Sequence, residues 1–254
     1  MILTNDEEIL VCEGFRCKVM RGQRWVTHSD LNEITKQASA VTMDNGIYIF
    51  GGVSQPTKTQ FLPNGSTRWQ GDSEIPDISG EFFSGHSKGC AVKISDFEVL
   101  LIGGGFHSPK KRIIKFNVKT KEWLFVGELR QERRGHSCVV MNDVIIISGG
   151  METFDYLAST ELISLADLTN IRTVGSLNEE RAFHGMAIAH IRNKPTLLAF
   201  GGEYKISGRG WPKRDSIEIW NPDSETWTLA TDMKLNEKKS HFGYLSVPTN
   251  LLCQ

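Results

Sequence analysis

Residues 135–150 read GHSCVVMNDVIIISGG, and the reading of this stretch decides the fold. The pattern predicts a short strand over 136–141, a turn at Asn142-Asp143, a wholly apolar strand over 144–147 and then a pair of glycines. The phrase recurs with drift as ASAVTMDNGIYIFGG at 38–52, GHSKGCAVKISDFEVLLIGG at 85–104 and FHGMAIAHIRNKPTLLAFGG at 183–202. The glycine pairs stand at 51–52, 103–104, 149–150 and 201–202, in steps of 52, 46 and 52 residues.

Each part of the phrase has a physical reason. The runs 99–102, 144–147 and 197–200 are unbroken apolar stretches, with 47–50 a near match, and strands this apolar suit sheets covered on both faces. A glycine pair ends the second strand where backbones crowd, because a residue without Cβ reaches φ > 0 and allows close approach. A glycine-rich phosphate loop would need a helix to follow. Gly104 is followed by GFHSPKKR and Gly202 by EYKISGRGWPKR, neither of which opens a helix. A period near 50 that joins a hairpin, a double glycine and a later tryptophan (Trp69, Trp123, Trp227) resembles the kelch repeat. The resemblance covers essentially the whole chain. It implies an all-β fold, a kelch-type β-propeller of four-stranded blades stacked around an axis.

With 254 residues, 39% hydrophobic content and 24 glycines, the chain has enough for one core and many turns. A single blade cannot bury its own faces, so one domain is expected over 1–254. The net charge of −1 gives no bulk attraction to nucleic acid or membrane. The N-terminus MILTNDEEIL has neither a basic region nor a long apolar one, so no signal peptide is expected. No apolar run approaches a membrane span. Five cysteines with no CxxC pair read as free thiols in a reducing compartment, with Cys90 and Cys138 as small core residues, and the expected location is the cytoplasm.

Taken in order, 8–13 reads as a second strand, 16–20 as a third and 24–27 as a fourth, with no first strand before them. Residues 241–247, HFGYLSV, resemble a first strand. The expectation is therefore five blades, 8–27 plus 241–247, 38–72, 86–127, 136–176 and 183–230, with the N- and C-terminal strands sharing one. Part of a larger ring is the alternative. Phe116 and Trp220 each stand seven residues before a tryptophan, a spacing set by a turn and by rings packed between blades. The fourth blade has Ile171 or Val174 where the tryptophan belongs, which predicts the loosest packing there.

Some residues invite chemistry. GHSKG at 85–89 matches G-x-S-x-G, but a nucleophile elbow needs a strand before the serine and a helix after it. Ser137 reads as the same position in the next repeat, which favours a scaffold role for both serines. His86, His136, His184 and His241 stand near the starts of first strands and could be imagined as a metal cage in the channel. No carboxylate or cysteine accompanies them at ligand spacing, so rings that fix the loop-to-strand corner are the better reading, and no metal or cofactor is expected. Copper-radical oxidases and iron-dependent specifier proteins share the architecture, but their constellations are not recognisable in this sequence.

What does not repeat carries the functional reading. The second-to-third-strand loops 53–59, 106–112, 151–158 and 203–214 hold eight Lys or Arg against three Asp or Glu, interleaved with aromatics. Arginines and exposed aromatics are the composition of interface hot spots. The candidate partner-binding residues are Phe106, Arg112, Arg134, Phe154, Tyr156, Arg181, Tyr204, Arg209, Trp211, Arg214 and Lys239, with Trp211, flanked by Gly210 and Pro212, foremost. The chain is thus expected to be a monomeric, non-catalytic module binding a protein or peptide with acidic residues. Similar kelch domains serve as substrate-recognition parts of cullin ubiquitin ligases. Nothing before Ile9 reads as a BTB, BACK or F-box segment, so the expected role is a stand-alone scaffold or an adaptor. A propeller-type metalloenzyme using channel histidines is the alternative.

Overall fold

The structure is a computed structural model that describes residues 2–3, 8–13, 16–21, 24–76, 85–105, 109–192, 194–206, 208 and 210–241. Its described residues form strands, turns and loops, and none of its elements is a helix. Five four-stranded antiparallel sheets follow one another along the chain. The first holds Ile2–Leu3, Ile9–Glu13, Arg16–Arg21 and Arg24–Thr27. The second holds Ser39–Met43, Gly46–Phe50, Thr59–Pro63 and Gln70–Gly71. The third holds Cys90–Lys93, Glu98–Ile102, Lys110–Asn117 and Trp123–Arg133. The fourth holds Ser137–Met141, Val144–Ser148, Thr160–Ser164 and Ile171–Val174. The fifth holds Gly185–Ile191, Lys194–Phe200, Arg214–Asn221 and Thr226–Lys239.

The place of the first strand in the first sheet is taken by Ile2–Leu3, which pairs with Ile9 and Leu10. The expectation that 241–247 completes that sheet falls on residues that, from 242 on, lie outside the described residues.

The apolar second strands are buried as their composition requires; Gly46–Phe50 is buried at every position. Four apolar clusters fill the spaces between consecutive sheets, for example Tyr48 and Phe50 of the second sheet against Leu101 and Phe116 of the third. The aromatic pairs form as expected: Phe116 stacks on Trp123 with ring centres 4.3 Å apart, and Trp220 lies 5.2 Å from Trp227. Turns that begin with an asparagine set this register. Asn117 Oδ1 accepts from the amides of Lys119 and Thr120, and Asn221 Oδ1 from those of Asp223 and Ser224. In the fourth sheet Ile171 pairs with Ile163 in the tryptophan's place, and Val126, Leu165 and Leu168 pack against the cluster that contains it.

The double glycines tie each sheet to the segment leading into the next. The second glycine's amide donates to His86 O, Arg133 O, Arg181 O and Lys239 O in turn, from Gly52, Gly104, Gly150 and Gly202, at 2.8–2.9 Å. These four acceptors are therefore equivalent positions. The GHS of 85–87 sits three residues earlier in its repeat than the GHS of 135–137, and Ser87 and Ser137 are not counterparts. Gly149 has φ +62, and a Cβ there would stand 2.4 Å from Arg181 O and 2.9 Å from the His184 ring. Gly149→Ala is expected to lower stability by at least about 1–2 kcal/mol, from the left-handed backbone alone. A denaturant midpoint unchanged from wild type would show that the junction yields freely.

Candidate functional site

Two levels of structure converge on the axis. The inner corners come first. Gln37, Lys88, Gly135, Phe183 and His241 all have left-handed backbones, with φ of 57°, 55°, 64°, 53° and 55°. Each amide from Lys88 onward donates to the carbonyl of the corner before it, at 2.5–3.1 Å, so that main chain links sheet to sheet. The corner is fixed by this backbone chain rather than by histidine rings. His86 instead meets Ser39 Oγ at 2.9 Å. Burial and the adjacent Arg112 hold the pKa of His86 down to about 3, and burial with Arg133 does the same for His136. Burial and Arg181 put His184 well below the usual range. Three neutral imidazoles thus lie beside three guanidinium groups. Among the described residues no three His, Cys, Asp or Glu side chains are placed to hold one metal ion.

Beside each junction lies a buried polar device. Glu161 accepts from the amides of Arg130 and Gln131 at 2.7 and 3.2 Å, and Glu218 from those of Asn178 and Glu179 at 2.6 and 3.2 Å. Gln60 does the same for Glu33 at 3.1 Å in the second sheet. Arg133 and Arg181 complete the two carboxylate sites, at 2.6 and 2.8 Å, as fully buried ion pairs. Arg181 was expected to face a partner. It is instead internal, with Nη1 donating to Gly201 O at 3.0 Å. Arg112 is likewise buried and donates to Gly85 O at 2.6 Å. It belongs to the strand Lys110–Asn117, not to a loop. Tyr156 is buried, and its hydroxyl donates to Glu203 at 2.9 Å. Burial removes all three from the contact surface.

The remaining candidates among the described residues lie together at the loops of the fourth and fifth sheets. Phe154 and Trp211 are 70% and 67% exposed, the two most exposed large apolar side chains among the described residues. Phe154 tips the ribbon Met151–Glu152 and Asp155–Tyr156, and Trp211 lies in the loop after Phe200. These two loops touch. Lys205 Nζ donates to Phe154 O at 3.4 Å, and Tyr156 reaches Glu203 from the same ribbon. Arg214 covers the Tyr204 ring at 3.9 Å and pairs with Glu179 at 2.8 Å. Arg134 donates to Thr153 O at 3.2 Å, and Lys239 is paired with Glu237 at 2.7 Å. Phe106 and Arg209 lie outside the described residues. The sequence reading missed Lys205 and Glu203, although a lone acid beside the glycines of a basic loop was a signal for the latter.

Inside the corners lies a cavity of about 480 Å³, lined by residues 37–40, 88–91 and 135–138 and by Phe183, His184 and His241. The cysteines differ from expectation there. Cys90 and Cys138, in the first strands of neighbouring sheets, form a disulfide, as do Cys12 and Cys17 across the first hairpin. Their Cα atoms are 6.0 and 4.1 Å apart, within reach of a disulfide, and register places Cys12 directly opposite Cys17.

No family model matches the sequence. The chain is 28% identical over 141 residues to the Kelch repeat protein M-T8 of Myxoma virus (strain Lausanne), across 52% of this chain and 25% of that protein. It is 25% identical over 140 residues to Kelch-like protein 15 of Mus musculus, across 48% of this chain and 22% of that protein. The solved structure of YjhT superposes with a TM-score of 0.70 at 12% identity, over 92% of this chain and 85% of that one. The protein is a kelch-type β-propeller. The propeller spans about a quarter of the length of the curated relatives it matches. None of its elements is a helix long and apolar enough to cross a membrane.

Proposed function

We propose that this propeller is a non-catalytic module that grips a partner protein through the rim formed by the loops of its fourth and fifth sheets. The observation that carries the reading is the pair Phe154 and Trp211, exposed on two loops held together by Lys205. Large aromatics at fixed positions, with cations beside them, supply the anchors of a hot spot. Lys205 and Lys213 favour a partner segment with acidic residues, since opposite charge speeds encounter and sets register. The module acts as a monomer in the cytoplasm and needs no nucleic acid, membrane or cofactor.

The Phe154→Ala/Trp211→Ala variant is expected to lose partner binding by about 30-fold or more, at roughly 1 kcal/mol or more for each anchor, with its melting temperature unchanged. Affinity capture with crosslinking mass spectrometry identifies the partner, and titration gives the ratio. Equal recovery of the same partners by both proteins would sink the reading. A role as the recognition part of a ubiquitin ligase rests on the likeness to kelch-like proteins; cullin in the captured complex would support it. The metalloenzyme alternative predicts stoichiometric copper, iron or zinc in the purified protein. The buried, neutral histidines beside guanidinium groups speak against it.

A further inference from the structure

The innermost strands carry a small side chain at one equivalent position, opposite the residue that precedes the double glycine. Ser39 stands opposite Phe50, Cys90 opposite Ile102 and Ser137 opposite Ser148. At two junctions this side chain is a hydroxyl that donates to a carbonyl of the next sheet. Ser39 Oγ reaches Gly89 O at 3.1 Å, and Ser137 Oγ reaches His184 O at 2.6 Å. At the junction between them the cysteine at this position is joined covalently to Cys138, two residues beyond His136, the counterpart of Gly89 and His184.

We propose that the Cys90–Cys138 bond is a thiol-exchange site, opened and closed by a small anionic thiol of the glutathione class that enters the axial cavity. Three observations support this. Both cysteines are half-buried and line the cavity, whose volume of about 480 Å³ is of the size that holds small organic ligands. Lys88 lines the same cavity two residues from Cys90, with Arg134 close enough to act on its charge. Cationic surroundings favour the thiolate over the thiol and attract an anionic reagent. The sister junctions, finally, join neighbouring sheets from the same position with hydrogen bonds alone. The main-chain link Gly135 N to Lys88 O and the apolar cluster of the third and fourth sheets remain when the disulfide opens.

The chemistry balances with two equivalents of thiol. A thiolate attacks one cysteine sulfur and forms a mixed disulfide; the other cysteine leaves as thiolate and takes a proton from water. A second thiolate attacks the outer sulfur of the mixed disulfide, releases the oxidised thiol dimer and leaves both cysteines reduced. The proposal does not depend on the partner-binding rim.

The test equilibrates the folded protein with glutathione buffers of graded poise, blocks free thiols by alkylation and maps modified peptides by mass spectrometry. Cys90 and Cys138 are expected to become labelled together in reducing buffer, with a glutathione adduct on one of them at intermediate poise. The melting temperature should fall by roughly 8 °C, the loop-closure entropy of a ring this long set against the unfolding entropy of a chain this size. A Cys12→Ala/Cys17→Ala variant should keep that shift, and Cys90→Ala/Cys138→Ala should start at the lower temperature and not respond. Should a variant fail to fold, peptide mapping on the unsubstituted protein still assigns the sites. The proposal is overturned if Cys90 and Cys138 label only when the protein unfolds, or if the shift follows Cys12 and Cys17.

Discussion

Acidification from pH 8 to pH 5 is expected to remove about 4 kcal/mol of stability from this propeller through His86 and His136, roughly 2 kcal/mol each, with His184 acting in the same direction. His86 and His136 have folded pKa values of about 3, and that of His184 lies well below the usual value. An unfolded histidine titrates near 6.5, roughly, so between pH 6.5 and 3 the unfolded chain takes up protons that the folded one refuses. The sign follows. A depressed folded pKa leaves stability complete above pH 6.5, and each unit of acid below it favours unfolding. The physical cause is first the burial of each ring, which disfavours its charged form, and then the guanidinium beside it, which adds like-charge repulsion. Against a typical total of about 5–15 kcal/mol the loss is large. Guanidinium chloride titrations at pH 8 and pH 5 measure it directly, and His136→Gln should lower the difference by about 2 kcal/mol. Coincident midpoints at the two pH values would show that the rings protonate inside the fold.

Breaking the ion pair of the fifth sheet should cost nearly as much. Arg181 and Glu218 are both 0% exposed, and burial lowers the guanidinium's pKa while Glu218 opposes the shift. Arg181→Met strands a carboxylate in the interior, at an expected cost of about 3–5 kcal/mol. Glu218→Gln keeps an oxygen for the amides of Asn178 and Glu179, as Gln60 does for Glu33, yet leaves the arginine with Glu179, at 3.2 Å, as its remaining acidic partner. The double variant Arg181→Met/Glu218→Gln removes both charges and keeps the cap. It should lose less than the two single variants together, with a coupling of 1 kcal/mol or more, roughly. Strict additivity in denaturant melts would mean that the pair is not the unit of stability.

Much of this fold could be read in the letters because its signals are local. A hairpin turn, an apolar second strand, a glycine pair and a tryptophan seven residues after an aromatic each follow from neighbouring residues. The drift of the repeat was harder. GHS occurs at 85 and at 135, yet only main-chain bonds from the double glycines reveal the three-residue offset. Function was least legible, because composition does not report burial. Arg112, Tyr156 and Arg181 have the character of interface residues, and all three point inward. A clue stood in the third strands TELIS and RDSIEIWN, where a glutamate interrupts apolar residues and calls for a buried cation. The Cys90–Cys138 pairing was hidden because its partners are 48 residues apart, joined through a register that the letters do not carry, whereas Cys12 and Cys17 stand only five apart across a hairpin. Phe154 and Trp211 are exposed as their place suggests, since an aromatic in a loop outside the repeat has no core to enter.

The corner residues are glutamine, lysine, glycine, phenylalanine and histidine, five side chains with nothing in common, because amide and carbonyl do the joining. Mutation is thus free to repaint the walls of the central shaft while the frame around it stays true. Two such wheels can drift until almost no letter matches and still superpose, and the lumen of each can acquire its own chemistry without rebuilding a single spoke.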